Sequence, residues 1–221
     1  MEGLENIPPP PYLLASNHQR WFDPLFLIAA FPKRTLIYSM AKRETVFNRA
    51  WKRALVRRFG VFPISPDQGQ LDTAAVATVY EILKRGGVVL IFPEGHYSKG
   101  RKLLPLKKGV AHFALQAAVP ICPVAISGLD RLRLRSEVTI SIGKPIYPIP
   151  PLRWRTSAAI SRLVLRVRQG MLRAFGADEE ARARHALLAS LTQRLKGLLL
   201  GRHGPTPPGE VSPGASERPG R

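Results

Sequence analysis

His18 and Asp23, in Asn17-His18-Gln19-Arg20-Trp21-Phe22-Asp23-Pro24, and Glu94, in Phe92-Pro93-Glu94-Gly95, have types and spacing suited to acid–base chemistry. A neutral imidazole takes a proton from a hydroxyl only when its tautomer and aim are fixed, and a nearby carboxylate fixes both. His18 and Asp23 form such a dyad if the turn between them folds back. Asp23-Pro24 ahead of Leu25-Phe26-Leu27-Ile28 also reads as a helix start, with the aspartate as N-cap and the proline at the first helical position. A carboxylate has two oxygens, so capping and orienting His18 are compatible. Phe92-Pro93-Glu94-Gly95 reads as a strand exit in which proline and glycine supply the turn.

Positioning these groups requires strands that end beside one another. Short apolar or β-branched runs alternate with helical patterns, which predicts an α/β fold with a mostly parallel central sheet flanked by helices. The expected strands are 13–16, 35–40, 61–64, 88–92, 121–126 and 138–142, and the expected helices 24–31, 47–59, 71–85 and 107–118. Val88-Val89-Leu90-Ile91-Phe92 is apolar on both faces, as a covered central strand is. Glu94 then lies just past its carboxyl end, the edge where open α/β sheets bind ligands. Two basic amphipathic helices are expected over 153–173 and 178–200, separated by a break at Gly176. The first carries Arg155, Arg162, Arg166 and Arg173 on the face opposite its apolar stripe. Such helices suit either packing on the body or a membrane interface.

The chain has 221 residues, 45% of them hydrophobic, which is enough for one domain with a proper core. The expected division is an N-terminal extension over 1–11, a core over 12–150, C-terminal amphipathic helices over 151–201 and a disordered tail over 202–221. With 34 Lys and Arg against 15 Asp and Glu, the net charge of +19 calls for an anionic partner or surface. Cys122 is the single cysteine, which excludes an intrachain disulfide. Its setting, Ile121-Cys122-Pro123-Val124, reads as core. No apolar run approaches the roughly 20 residues that span a bilayer. The first eleven residues do not read as a signal peptide. These features predict a cytoplasmic protein, peripheral on the inner face of the cell membrane. Aromatic residues do not interleave with the basic ones, and no zinc-finger spacing occurs, so nucleic acid is not the expected partner. His96, His112, His185 and His203 show no ligand-like grouping, so no metal is expected.

Together with Gly60-Val61-Phe62-Pro63-Ile64, Lys107-Lys108-Gly109-Val110-Ala111 and Val119-Pro120-Ile121-Cys122-Pro123-Val124-Ala125, the two segments make the chain resemble the phospholipid/glycerol acyltransferase family, specifically its 1-acyl-glycerol-3-phosphate acyltransferase group. The resemblance covers about residues 12 to 150 and takes in the family's four sequence blocks in order. It implies that His18 is the general base and Asp23 its orienting carboxylate. Acyl-CoA or acyl carrier protein is implied as co-substrate, with no resident cofactor. It implies a lysophospholipid-like acceptor and an anionic membrane surface as partners. Glu94, Gly95, Lys107, Gly60 and Arg20 are the implied substrate-binding positions. Two departures bear on the acceptor. The family's second block normally ends with a phosphate-binding arginine, where this chain has Pro66. The third usually reads Glu-Gly-Thr-Arg-Ser, and here it is Glu94-Gly95-His96-Tyr97-Ser98. Neither proline nor tyrosine supplies a bidentate guanidinium clamp. Lys107, Lys99, Arg101, Lys108 and Arg20 are the candidate replacements. A non-phosphorylated acceptor, or a non-catalytic lipid-binding relative, is the alternative.

Overall fold

A computed structural model describes residues 1–32, 35–65, 73–98, 103–129, 138–149 and 156–199, apart from the side chains of 45–46 and most of those of 177–199. Two compact units are present, Met1–Ala181 and Arg182–Arg221. The first contains a six-stranded sheet of β1 (Tyr12–Ser16), β2 (Ile37–Lys42), β3 (Val61–Ile64), β4 (Val88–Ile91), β5 (Ile121–Ser127) and β6 (Thr139–Ile142). The strand order is β3-β2-β4-β1-β5-β6. All neighbours are parallel except β5 and β6. Every residue of β1, β4 and β5 is buried, which accounts for their unbroken apolar runs: helices cover both faces.

The helices divide between those faces. On one, α1 (Asp23–Ala30) places Leu27 against Tyr12, Leu14, Val88 and Leu90, joined by Phe31 just beyond the helix. On the other, α4 (Thr73–Lys84), α5 (Gly109–Ala117) and the first half of α6 (Ser157–Leu199) cover Leu13, Ala15, Val89 and Ile91. The chain therefore leaves the adjacent strands β1 and β4 toward opposite faces. Such divergence marks a topological switch point, and open α/β sheets hold ligands in the crevice at the carboxyl ends of the two strands.

Several expected boundaries move. The helix predicted over 47–59 is two elements, α2 (Arg43–Val46) and α3 (Ala50–Arg58). Phe47 turns into a small core with Val56 and Val61 and interrupts the run. Residues 1–11 do not form a separate extension. Glu2 exchanges backbone hydrogen bonds with Ile140 and Ile142, and Asn6 Nδ2 donates to the Ile142 carbonyl, so the chain start covers the outer edge of β6. The expected break at Gly176 is absent, because α6 runs through it. Glycine in a helix interior costs only about 1 kcal/mol, which flanking helix formers offset. Ile160, Leu163, Val167, Met171 and Phe175 of α6 are buried in the main core, so the body extends beyond residue 150. Gly170 lets the helix approach closely: a Cβ there would stand 3.0 Å from Pro123 Cγ and from Ile146 Cδ1. The tail over 202–221 lies outside the described residues, as do Pro66, Lys99, Arg101 and Arg155.

Candidate active site

Beyond Ser16 the chain is tied down before it turns. Asn17 is fully buried, and its side chain substitutes for another rung of the β1–β5 ladder. Its Nδ2 donates to the Ile126 carbonyl at 2.9 Å, and its Oδ1 accepts the Ile126 N–H at 2.8 Å. His18 follows, with both of its backbone polar groups held by the segment after β4. Its N–H donates to Glu94 Oε1 at 3.0 Å, and its carbonyl accepts from Ser98 through the backbone N–H and the hydroxyl.

Asp23 is fully buried, and a single oxygen, Oδ2, accepts from three donors. These are His18 Nδ1 at 2.8 Å, the Gln19 N–H at 2.5 Å and the Arg20 N–H at 2.8 Å. The expectation that Asp23 caps the helix is corrected by this geometry. Asp23 is the first residue of α1, Phe22 takes the N-cap position, and no side chain caps the helix. The carboxylate points back into the loop, where two amides and an imidazole supply more donors than the helix end offers once proline has removed one N–H.

The imidazole ring is fixed as well. Phe92 stacks on it at 3.9 Å between centroids with 16° between planes, and Tyr97 meets it at 4.4 Å and 61°. The His18 side chain remains 16% exposed. With Nδ1 donating to a carboxylate, the lone pair of the neutral ring lies on Nε2, which is the protonation pattern of a general base.

Glu94, 2% exposed, uses its second oxygen to accept the Leu104 N–H at 2.8 Å. Burial raises its pKa above the ordinary carboxylate value, opposed by the two backbone hydrogen bonds, by His18 and by the charge of Arg168. Glu94 is therefore a strut between the histidine loop and the Leu104 segment. Gly95 has φ +71°, and a Cβ on it would stand 2.7 Å from Lys107 Cε and 2.8 Å from Lys107 Nζ. The Lys107 side chain thus lies across Gly95, and its backbone N–H donates to the Pro93 carbonyl at 2.7 Å. Arg20 is exposed on the loop.

The structure brings His18, Asp23, Glu94, Gly95, Lys107 and Arg20 to one edge of the sheet. It does not bring Gly60 there. Gly60 precedes Val61 of the outer strand β3, which pairs with Ser39 of β2, so it sits at the amino end of β3, away from the carboxyl edge. Its φ of +67° and its N–H to the Arg57 carbonyl mark a helix-ending turn. Sequence reasoning missed the roles of Asn17, Phe92, Tyr97 and Ser98. The signal was their placement in the same two segments, one on either side of the crevice. Cys122 is fully buried, and burial pushes its thiol pKa up to about 12, which suits core and not a nucleophile.

The family described as Acyltransferase matches residues 1–127. Human 1-acyl-sn-glycerol-3-phosphate acyltransferase alpha is 28% identical over 179 residues, covering 79% of this chain and 62% of that protein. The 1-acyl-sn-glycerol-3-phosphate acyltransferase of Bacillus subtilis (strain 168) is 28% identical over 148 residues, covering 65% of this chain and 71% of that one. The chain thus spans about three-fifths of the human relative's length. The crystal structure of the 1-acyl-sn-glycerophosphate (LPA) acyltransferase PlsC from Thermotoga maritima shares the fold, with a TM-score of 0.60 at 24% identity over 80% of this chain and 70% of that one. With more than half of its residues matched, and with an oriented histidine–aspartate pair at the sheet's switch point, this chain belongs to the acyltransferase family.

Proposed function

We propose that this protein transfers a fatty acyl group from a thioester, acyl-CoA or acyl carrier protein, to a hydroxyl of a lysophospholipid of the 1-acyl-glycerol-3-phosphate type, a step of phospholipid biosynthesis. One observation carries the proposal: His18 Nδ1 is committed to Asp23 at 2.8 Å while Phe92 and Tyr97 hold the ring, so Nε2 is left as an aimed base. Nε2 takes the acceptor's hydroxyl proton as that oxygen bonds to the thioester carbon. The tetrahedral adduct then breaks its carbon–sulfur bond, and the departing sulfur recovers the proton from Nε2. Asp23 steadies the imidazolium formed between the two steps. No resident cofactor enters this scheme.

Lys107, with its ammonium beside Gly95, is the cation that would meet the acceptor's phosphate as a point charge. Tyr97 supports a second reading. It stands edge-on to His18 where the resembling family carries arginine, which favours an acceptor with less negative charge. We place the protein peripherally on the cytoplasmic membrane face. The +19 net charge supports this, and no described helix is long and apolar enough to cross a membrane.

The test is thiol release by the purified protein with both donors. The acceptors are 1-acyl-glycerol-3-phosphate, other lysophospholipids and non-phosphorylated lipid alcohols. A kcat/KM highest for the phosphate-bearing monoacyl lipid supports the main reading, and a preference for an uncharged alcohol supports the second. Thiol release no greater than that of His18→Ala with every pair would leave a lipid-binding relative without turnover.

A further inference from the structure

Four aromatic rings form a continuous row beside the crevice. Trp51 of α3 meets Trp21 at 6.1 Å, Trp21 meets Phe22 at 5.6 Å, and Phe22 meets Phe26 of α1 at 5.8 Å. Trp21 and Phe22 lie in the loop between His18 and Asp23, so the row has the catalytic turn at its middle and runs outward to Trp51 on one side and Phe26 on the other. Single exposed apolar residues are ordinary on protein surfaces, whereas a joined patch marks an interaction site. Here Trp51 is 55% exposed, Phe26 38% and Leu55 37%.

Helix α3 shows what kind of partner the patch fits. Val56 is its one buried residue, so most of its circumference faces outward. Trp51 and Leu55 stand one turn apart on that outward surface. Every charged residue of the helix is basic: Lys52, Arg53, Arg57 and Arg58. Lys52 Nζ sits 5.0 Å from the Trp21 ring and 5.8 Å from the Trp51 ring, which keeps its charge at the level of the aromatic row. Tryptophan belongs at the boundary between headgroups and acyl chains, and basic side chains beside it complement anionic headgroups. A nucleic acid would use the rings and the charges but would leave Leu55 and Phe26 without a counterpart.

We propose that Trp21, Phe26, Trp51 and Leu55, flanked by Lys52 and Arg58, form the surface by which this protein docks on an anionic phospholipid bilayer. This deepens the lipid-acceptor proposal and rests on it for its purpose. Seating the row in the interface sets the His18 loop at headgroup depth, so a single-chain lipid enters the crevice without crossing water. The C-terminal helix, whose basic amphipathic pattern suits either packing on the body or a membrane interface, is a competing surface through Leu165 and Leu172, 55% and 46% exposed.

The test uses the full chain and vesicles of phosphatidylcholine with and without phosphatidylglycerol. Binding is read by co-flotation and by quenching of tryptophan fluorescence with acyl-brominated lipid, with no substrate present. The protein should bind only the anionic vesicles, lose binding at high salt, and be quenched. Trp51→Ala with Leu55→Ala should weaken binding at least about tenfold by removing interfacial apolar area. Arg58→Glu should weaken it about fivefold or more, at roughly a fivefold loss for each charge removed. Circular dichroism should show both variants folded, since Trp51, Leu55 and Arg58 are exposed. Leu165→Ser with Leu172→Ser should bind as the parent does. The proposal is overturned by equal binding to zwitterionic vesicles, by binding without quenching, or by loss confined to the α6 pair. Vesicle binding without turnover on any acceptor would sink the acyl-transfer reading and leave the docking surface standing.

Discussion

The two ends of β1 differ in how firmly their buried polar groups are tied down. At the carboxyl end Asn17 makes two hydrogen bonds, His18 is held at both backbone groups and at Nδ1, and one oxygen of Asp23 accepts three donors. At the amino end Tyr12 is fully buried, and its hydroxyl has no hydrogen-bond partner among the described residues. Only four residues, Leu13 to Ser16, lie between this orphaned hydroxyl and the start of the network. The lesson is one of placement: Asp23 Oδ1 is left without a partner among the described residues, yet the bonds this network does make all fall on the loop that must aim an imidazole.

Breaking the network at its reactive atom should have the largest effect. His18→Ala removes the base, while the loop keeps its bonds to Glu94 and Ser98, which engage only the main chain of His18. Thiol-release kcat should fall by about 10²- to 10⁴-fold with the melting temperature nearly unchanged. A mutant within a few fold of the parent would remove His18 from the mechanism. Asp23→Asn should cut activity as well and, unlike the histidine change, cost stability. A neutral amide weakens the three hydrogen bonds that converge on Oδ2, for a loss on the order of 2 kcal/mol by denaturant titration. If Asp23→Asn unfolds at the parent's midpoint, its tie to the loop amides is not structural.

Glu94→Gln is a smaller break. Two backbone N–H groups point at this side chain, and an amide offers one acceptor to them, so the His18 or the Leu104 N–H loses its partner. A buried donor left unsatisfied costs about 1–3 kcal/mol. The pH dependence is a sharper probe. Because burial raises the Glu94 pKa, the folded chain keeps a proton that the unfolded chain has released between the ordinary and the raised value. Glu94 therefore favours folding most below the ordinary carboxylate value, and this share of stability falls as pH rises through that window. Glu94→Gln should flatten that portion of the stability–pH curve. An unchanged slope would contradict the raised pKa.

Much of this arrangement was legible in the sequence. Strands covered on both faces appear as continuous apolar runs, and Val88–Ile91 is one. The His18–Asp23 spacing and the strand-exit position of Glu94 were likewise visible. Asn17 was not, because its two bonds to Ile126 depend on the register of β1 against β5, which sequence alone does not specify. The grip of Ser98 and Tyr97 on His18 depends on β4 lying next to β1, a long-range fact of topology. Glu2 joins β6 through an isolated bridge, and one residue has no periodicity to read. Gly60 was misplaced because a sequence block records order along the chain and not which end of a strand a residue occupies.

The smallest expected effect lies at the amino end of the same strand and has the opposite sign. Burial raises the Tyr12 pKa strongly, as expected where the phenolate would be left unsolvated. Its hydroxyl gave up water on folding without gaining a described partner, a loss that offsets part of what burying the ring contributes. Tyr12→Phe keeps the ring and removes the orphaned group. Stability should rise by up to about 1 kcal/mol, seen as a shift of a few degrees in the melting temperature, with kcat/KM unchanged. A clear loss of stability would mean that the hydroxyl has a partner after all, and the amino end of β1 would then be as firmly tied as the loop that follows its carboxyl end.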